Sequence, residues 1–124
     1  MGTFKIDIEI ANHQARIWTW KLFRGVVVDT GADATWLPET ELKKMGVKPF
    51  RKEKFKMANG QLLTREIGGI FIRSGRFFAL DEVVFGKPGD LMILGAHTLE
   101  GWCASVDPRN KRLVSSGPAL VAAA

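Results

Sequence analysis

The chain has 124 residues, 46% of them hydrophobic and 25% charged, with a formal net charge of +5. That length supports one domain with one core and is too short for two, and the composition is that of a folded protein, which excludes a disordered or low-complexity chain. A single cysteine, Cys103, excludes an internal disulfide and gives no sign of an oxidising compartment; the two histidines, His13 and His97, form no cluster with metal-ligand spacing; and no apolar run is long enough to span a bilayer. Neither a metal nor a cofactor is expected.

In chain order, Phe4 to Ile10 alternates apolar and charged side chains, the pattern of a half-exposed strand rather than of a signal-peptide core, and predicts a cytoplasmic protein. Gly2 does not lead a full myristoylation pattern, because Ile6 stands where Ser or Thr is needed. Phe4 to Ile10 and Ala15 to Leu22 predict an opening hairpin around Ala11-Asn12-His13, and Gly25 to Val28 a third strand. Trp36-Leu37-Pro38-Glu39 opens a short helix through Lys44, with Pro38 in its first turn and Gly46 at its end. Phe55 to Thr64 reads as a hairpin with Asn59-Gly60 at its tip, the strongest two-residue turn signal in the chain. Ile70 to Arg73 and Arg76 to Phe85 pair across Ser74-Gly75, and Lys87-Pro88-Gly89-Asp90 breaks the chain before Leu91 to Leu94. A helical turn from Ala96 to Glu100 precedes a last hairpin of Cys103 to Asp107 with Arg112 to Val114. Short strands between turns, with no repeat or linker, predict a small closed all-β barrel with one or two short helices.

The chemistry-bearing stretch is Val26-Val27-Val28-Asp29-Thr30-Gly31-Ala32-Asp33. Three β-branched residues suit a buried strand, and Gly31 permits a sharp turn that presents Asp29 at the strand's end. A buried carboxylate needs donors or a second carboxylate with which to share a proton. Asp-Thr-Gly also fits plain turn chemistry between a strand and a helix, with Asp29 as the capping side chain. A second element downstream, Met92-Ile93-Leu94-Gly95, is followed by a short helical pattern.

With these two elements at this spacing, the chain resembles the retropepsin-like aspartic proteases, the retroviral enzymes and the small free-standing bacterial and archaeal members. The resemblance runs from about Phe4 to Val114, and Leu99-Glu100-Gly101 and Val106-Asp107-Pro108 look especially like the prokaryotic members. It implies an acid-protease barrel over residues 1–114, residues 115–124 forming a C-terminal tail, and an aspartic endopeptidase. With one Asp-Thr-Gly per chain, the resemblance implies a homodimer in which each chain contributes Asp29. Two carboxylates about 3 Å apart hold one proton between them, so one activates water as a general base while the other protonates or polarises the scissile carbonyl. Thr30, Gly31 and Ala32 complete the active-site loop. The Asn59-Gly60 hairpin becomes a flap that closes over a peptide substrate, bringing Met57, Ala58 and Leu62 to the cleft. Asp33 matches a family position near the ends of the bound peptide, although the arginine that usually pairs with it is Ala96 here.

Two other readings stay open. The fold without catalysis would leave a dimerisation or peptide-binding module. Trp18-Thr19-Trp20-Lys21 with Phe23-Arg24 fits the aromatic and basic interleaving of an RNA-binding small β-barrel. Against that reading, the densest basic groups, Arg51-Lys52-Glu53-Lys54 and Arg109-Asn110-Lys111-Arg112, lie at expected turns as solvated loops, so no nucleic-acid or membrane partner is expected.

Overall fold

A computed structural model describes residues 4–117; the readings made for Gly2 and for most of the tail, from residue 118 on, lie outside them. Among the described residues, nine strands and two short helices follow one another as β1 (Phe4–Ala11), β2 (Lys21–Val28), β3 (Thr35–Pro38), α1 (Glu39–Lys44), β4 (Arg51–Lys56), β5 (Leu62–Ser74), β6 (Phe77–Gly86), β7 (Ile93–Leu94), α2 (Ala96–Gly101), β8 (Ala104–Asp107) and β9 (Arg112–Ser115). The all-β expectation with two short helices holds. One seven-stranded sheet runs β1-β2-β7-β3-β6-β5-β4, and a further pairing of β1 with β5 closes six of its strands into a ring, leaving β4 outside on β5. β8 and β9 form a separate two-stranded sheet.

Alternate apolar positions of these strands face inward, while Leu22, Leu62, Phe78 and Leu80 stay exposed. Ile8, Ile10, Val26, Leu37, Leu42, Ile70, Ile72, Val83, Phe85 and Leu94 are all buried in one cluster. Each such side chain contributes roughly 1.5–3 kcal/mol relative to exposure. Trp36, Ile67 and Val84 make a second, smaller cluster against which Phe55 packs, and this cluster lies beneath the β4–β5 hairpin.

The local readings differ from the structure in instructive places. Ala15 to Leu22 is not one strand: β2 starts at Lys21, and residues 12–20 form a loop. Asn12 organises it, accepting from Gln14 N through its side chain and from Ala15 N through its carbonyl, while its amide donates to Met45 O. Trp18 and Trp20 therefore do not share a strand face. They lie edge-on against Phe71 and Phe78. Gly25 is interior to β2, not its start, where φ +68 and a hydrogen bond from its N–H to Asp7 Oδ1 accommodate the register shift between Ile6 and Ile8.

Trp36 and Leu37 belong to β3, paired with Val84 and Phe85 of β6, because both are buried and gain ladder partners that a helix would not give them. Pro38 sits one step before α1, at its N-cap with φ −60 and ψ 129. Gly46, at φ +78, ends α1 as expected, with Gly46 N donating to Lys43 O and Val47 N to Leu42 O. β5 runs unbroken through Gly68 and Gly69. A Cβ at Gly68 would meet Phe85 Cε1 at 2.9 Å and one at Gly69 would meet His13 Cε1 at 3.0 Å, so these glycines serve close packing within a strand and do not end it.

Candidate functional site

Asp29 follows the last residue of β2, and its surroundings are set by β7. This two-residue strand lies between β2 and β3, parallel to the first and antiparallel to the second. Asp29 N donates to Leu94 O at 3.0 Å, which ends the ladder at the aspartate. The chain then turns on Gly31, whose N–H donates to Asp29 Oδ1 at 2.9 Å. A Cβ at Gly31 would stand 3.2 Å from that oxygen, so glycine here lets the backbone approach the carboxylate.

The same turn caps a helix. Ala96 N donates to Ala32 O at 2.7 Å and His97 N to Asp33 O at 2.9 Å. α2 has no side-chain cap; its first amides are satisfied by carbonyls of the aspartate turn instead. Gly95 makes the approach possible: a Cβ there would fall 2.4 Å from Ala34 O and 2.8 Å from Asp33 O. The two sequence elements, Asp-Thr-Gly and apolar-apolar-Gly, are thus two sides of one cross-braced turn.

A cleft of about 650 Å³ opens over this turn, lined by Asp29, Gly31, Ala32 and Asp33 on one side and by Lys54 to Ala58 of the β4–β5 hairpin on another. Trp36 and Ile93 also line it, and Trp36 meets Phe55 edge-to-face at 5.1 Å. Of the residues expected at the site, Asp29, Gly31, Ala32, Asp33, Met57 and Ala58 line this cleft. Thr30, Asn59, Gly60 and Leu62 are exposed and lie outside its walls. The hairpin tip closes through Met57 N to Gln61 O, Gly60 N to Met57 O and Gln61 N to Asn59 Oδ1, with Gly60 at φ +85 and nothing within 4 Å of a Cβ placed on it. Ala96, where the family pattern has arginine, is half-buried and offers Asp33 only its chain neighbour's amide.

A polar cluster beside the turn was not found by sequence reasoning. Asp81, 8% exposed on β6, accepts from Thr98 Oγ1 at 2.6 Å through Oδ2, and from His97 Nδ1 and Glu82 N, both at 2.7 Å, through Oδ1. The hydrogen bond and charge of Asp81 push the His97 imidazole above its ordinary value. Thr98 Oγ1 lies 2.6 Å from Thr35 Oγ1, which accepts from Gly95 N at 3.0 Å. His97 and Asp81 also line the cleft.

Compared with models of known families and with curated proteins, the chain matches none. Among the described residues, no helix is long and apolar enough to cross a membrane.

Proposed function

We propose that this chain is a retropepsin-like aspartic endopeptidase that acts as a homodimer, with Asp29 of each protomer forming the catalytic pair. The observation that carries the reading is a carboxylate at the end of a buried strand, on a turn braced by β7 and α2, facing a cleft whose opposite wall is a hairpin. The chain carries a single Asp-Thr-Gly, so the chemistry requires a second chain. Thr30 and Gly31 are exposed and are the contacts the proposal assigns to the partner's loop. One carboxylate of the pair takes a proton from water as it attacks the scissile carbonyl, and the other gives its proton to the developing oxyanion; as the resulting diol collapses, the first carboxyl passes the water's proton to the leaving amine and the second takes a proton back from a diol hydroxyl, which restores the singly protonated pair. No covalent intermediate and no cofactor enter this scheme. Met57 and Ala58 contact the substrate from above, with the Asn59-Gly60 tip closing over it.

The test is incubation with a mixed peptide library, wild type beside Asp29→Asn. The variant keeps size and hydrogen-bonding shape but cannot exchange the proton, so cleavage falls by about 10²–10⁴-fold while the fold survives. Specific activity of the wild type falls on dilution, and excess Asp29→Asn chain poisons it by forming mixed dimers. Undiminished cleavage by a folded Asp29→Asn protein, or a fully active monomer in sedimentation, overturns the proposal.

A further inference from the structure

The polar cluster beside the Asp29 turn has a direction. A carboxylate only accepts and a backbone amide only donates, so the line from Gly95 to Asp81 has one arrangement of protons. Gly95 N–H donates to Thr35 Oγ1, Thr35 O–H donates to Thr98 Oγ1, and Thr98 O–H donates to Asp81 Oδ2. Both hydroxyls are buried, at 1% and 0% exposure for Thr35 and Thr98, and every link spans at least 17 residues of sequence. The line begins at the glycine whose neighbours hold the aspartate turn: Leu94 O receives Asp29 N, and the amides of Ala96 and His97 hold Ala32 O and Asp33 O. The other Asp81 oxygen fixes His97, at the start of α2.

We infer that Thr35, Thr98 and Asp81 form a hydroxyl relay of positioning residues, which fixes segment 94–97 and through it the orientation of the Asp29 carboxylate. This rests on the reading of the cleft as a hydrolytic site. None of the three needs to touch the reacting atoms. Their effect passes through Gly95, and a buried relay of this kind is of value only when every member is satisfied. Removing one hydroxyl leaves its neighbour without a partner, which loosens the turn more than it loosens the distant core.

The test compares Thr98→Val, which keeps the shape and removes the hydroxyl, with Thr98→Ser, which keeps the hydroxyl. Two readouts are taken: steady-state kinetics on a cleaved peptide, and hydrogen exchange at the amides of Asp29, Ala96 and His97. In Thr98→Val, kcat falls by about tenfold or more with KM within about twofold, because a misaimed carboxylate affects the transition state more than substrate binding, and the three amides exchange faster. Thr98→Ser restores both. If Thr98→Val does not fold, Asp81→Asn, which keeps volume and one accepting oxygen, is read in the same way. Wild-type kcat and exchange in a folded Thr98→Val protein, or equal losses in Thr98→Ser, overturn the relay. If the wild type cleaves no peptide, the proposed function fails, whereas the exchange comparison still decides whether the relay holds the turn.

Discussion

The two walls of the cleft are built on different plans. The Asp29 turn is tied to segment 94–97 by three backbone hydrogen bonds, two of them from the first amides of α2, and by Gly95, which admits no side chain. Among the described residues, the Asn59-Gly60 tip is tied by backbone bonds only within its own hairpin, between β4, which lies outside the six-stranded ring, and the start of β5. Its base is different again. Arg51 bridges Glu53 and Glu82, at 2.8 and 2.6 Å, and Arg65 holds Asp90 through two nitrogens, at 2.8 and 3.2 Å. Few non-local contacts at the tip and many at the turn mean that one wall opens at low cost while the other does not. That is the division of labour a closing hairpin over a fixed carboxylate requires.

The comparison is broken most severely at Gly95. Gly95→Ala drives a Cβ to within 2.4 Å of Ala34 O, and backbone on both sides leaves no flexible group to give way. A loss of about 3 kcal/mol is expected, read as a drop in the urea midpoint with unchanged m-value. A neutral Gly95→Ala would show that the turn is not braced by this contact.

Gly60→Val is the counterpart on the other wall. Nothing lies within 4 Å of its Cβ position, so the cost is the strain of a β-branched residue at φ +85, about 1–2 kcal/mol. On the proposed function, turnover and substrate binding both suffer because the tip must close over the peptide. Unaltered kcat and KM would leave this hairpin as plain surface structure. A stability loss equal to that of Gly95→Ala would erase the contrast between the walls.

What could be read from the sequence follows the same division. The aspartate turn, the Gly46 end of the helix and the Asn59-Gly60 tip each rest on residues within a few positions of one another, and each is legible, whereas Pro38 stands one step outside the first turn in which the sequence puts it. The sequence puts Trp36 in the helix because its partner Val84 lies 48 positions away on β6, and pairing at that distance leaves no local period. The run of β5 through Gly68 and Gly69 leaves no local pattern either, because the rings that fill the space above them, Phe85 and His13, come from elsewhere in the chain. The Thr35, Asp81 and Thr98 cluster is invisible for the same reason: none of its links is short enough in sequence to leave a pattern. The two glycine motifs were recognisable as motifs, while the reason for Gly95, a carbonyl pressed against it, belongs to the fold alone.

The smallest expected effect lies at the base of the hairpin and is a dependence on pH. Hydrogen bonds from Arg65, with the Lys87 amide and the nearby cations adding to them, hold the Asp90 carboxyl below its ordinary range despite partial burial. A folded-state value below the unfolded one means that the unfolded chain binds the proton more readily. The stabilisation is therefore complete above the unfolded value, about 3.9, and is lost as pH falls through the lowered folded value. A melting temperature followed from about pH 6 to pH 2 should decline at the acid end, and Asp90→Asn should flatten part of that decline while lowering stability near neutrality. The variant also frees Arg65, whose guanidinium stands 6.0 Å from the Trp36 ring under the hairpin, so the opening of this wall should ease without any change at the Asp29 turn. Hydrogen exchange separates the two: in Asp90→Asn, amides of β4 and the adjoining part of β5 exchange faster while those of Asp29, Ala96 and His97 keep their protection. Loss of protection at all of them together would mean that the walls open as one unit, and the contrast drawn between them would fall.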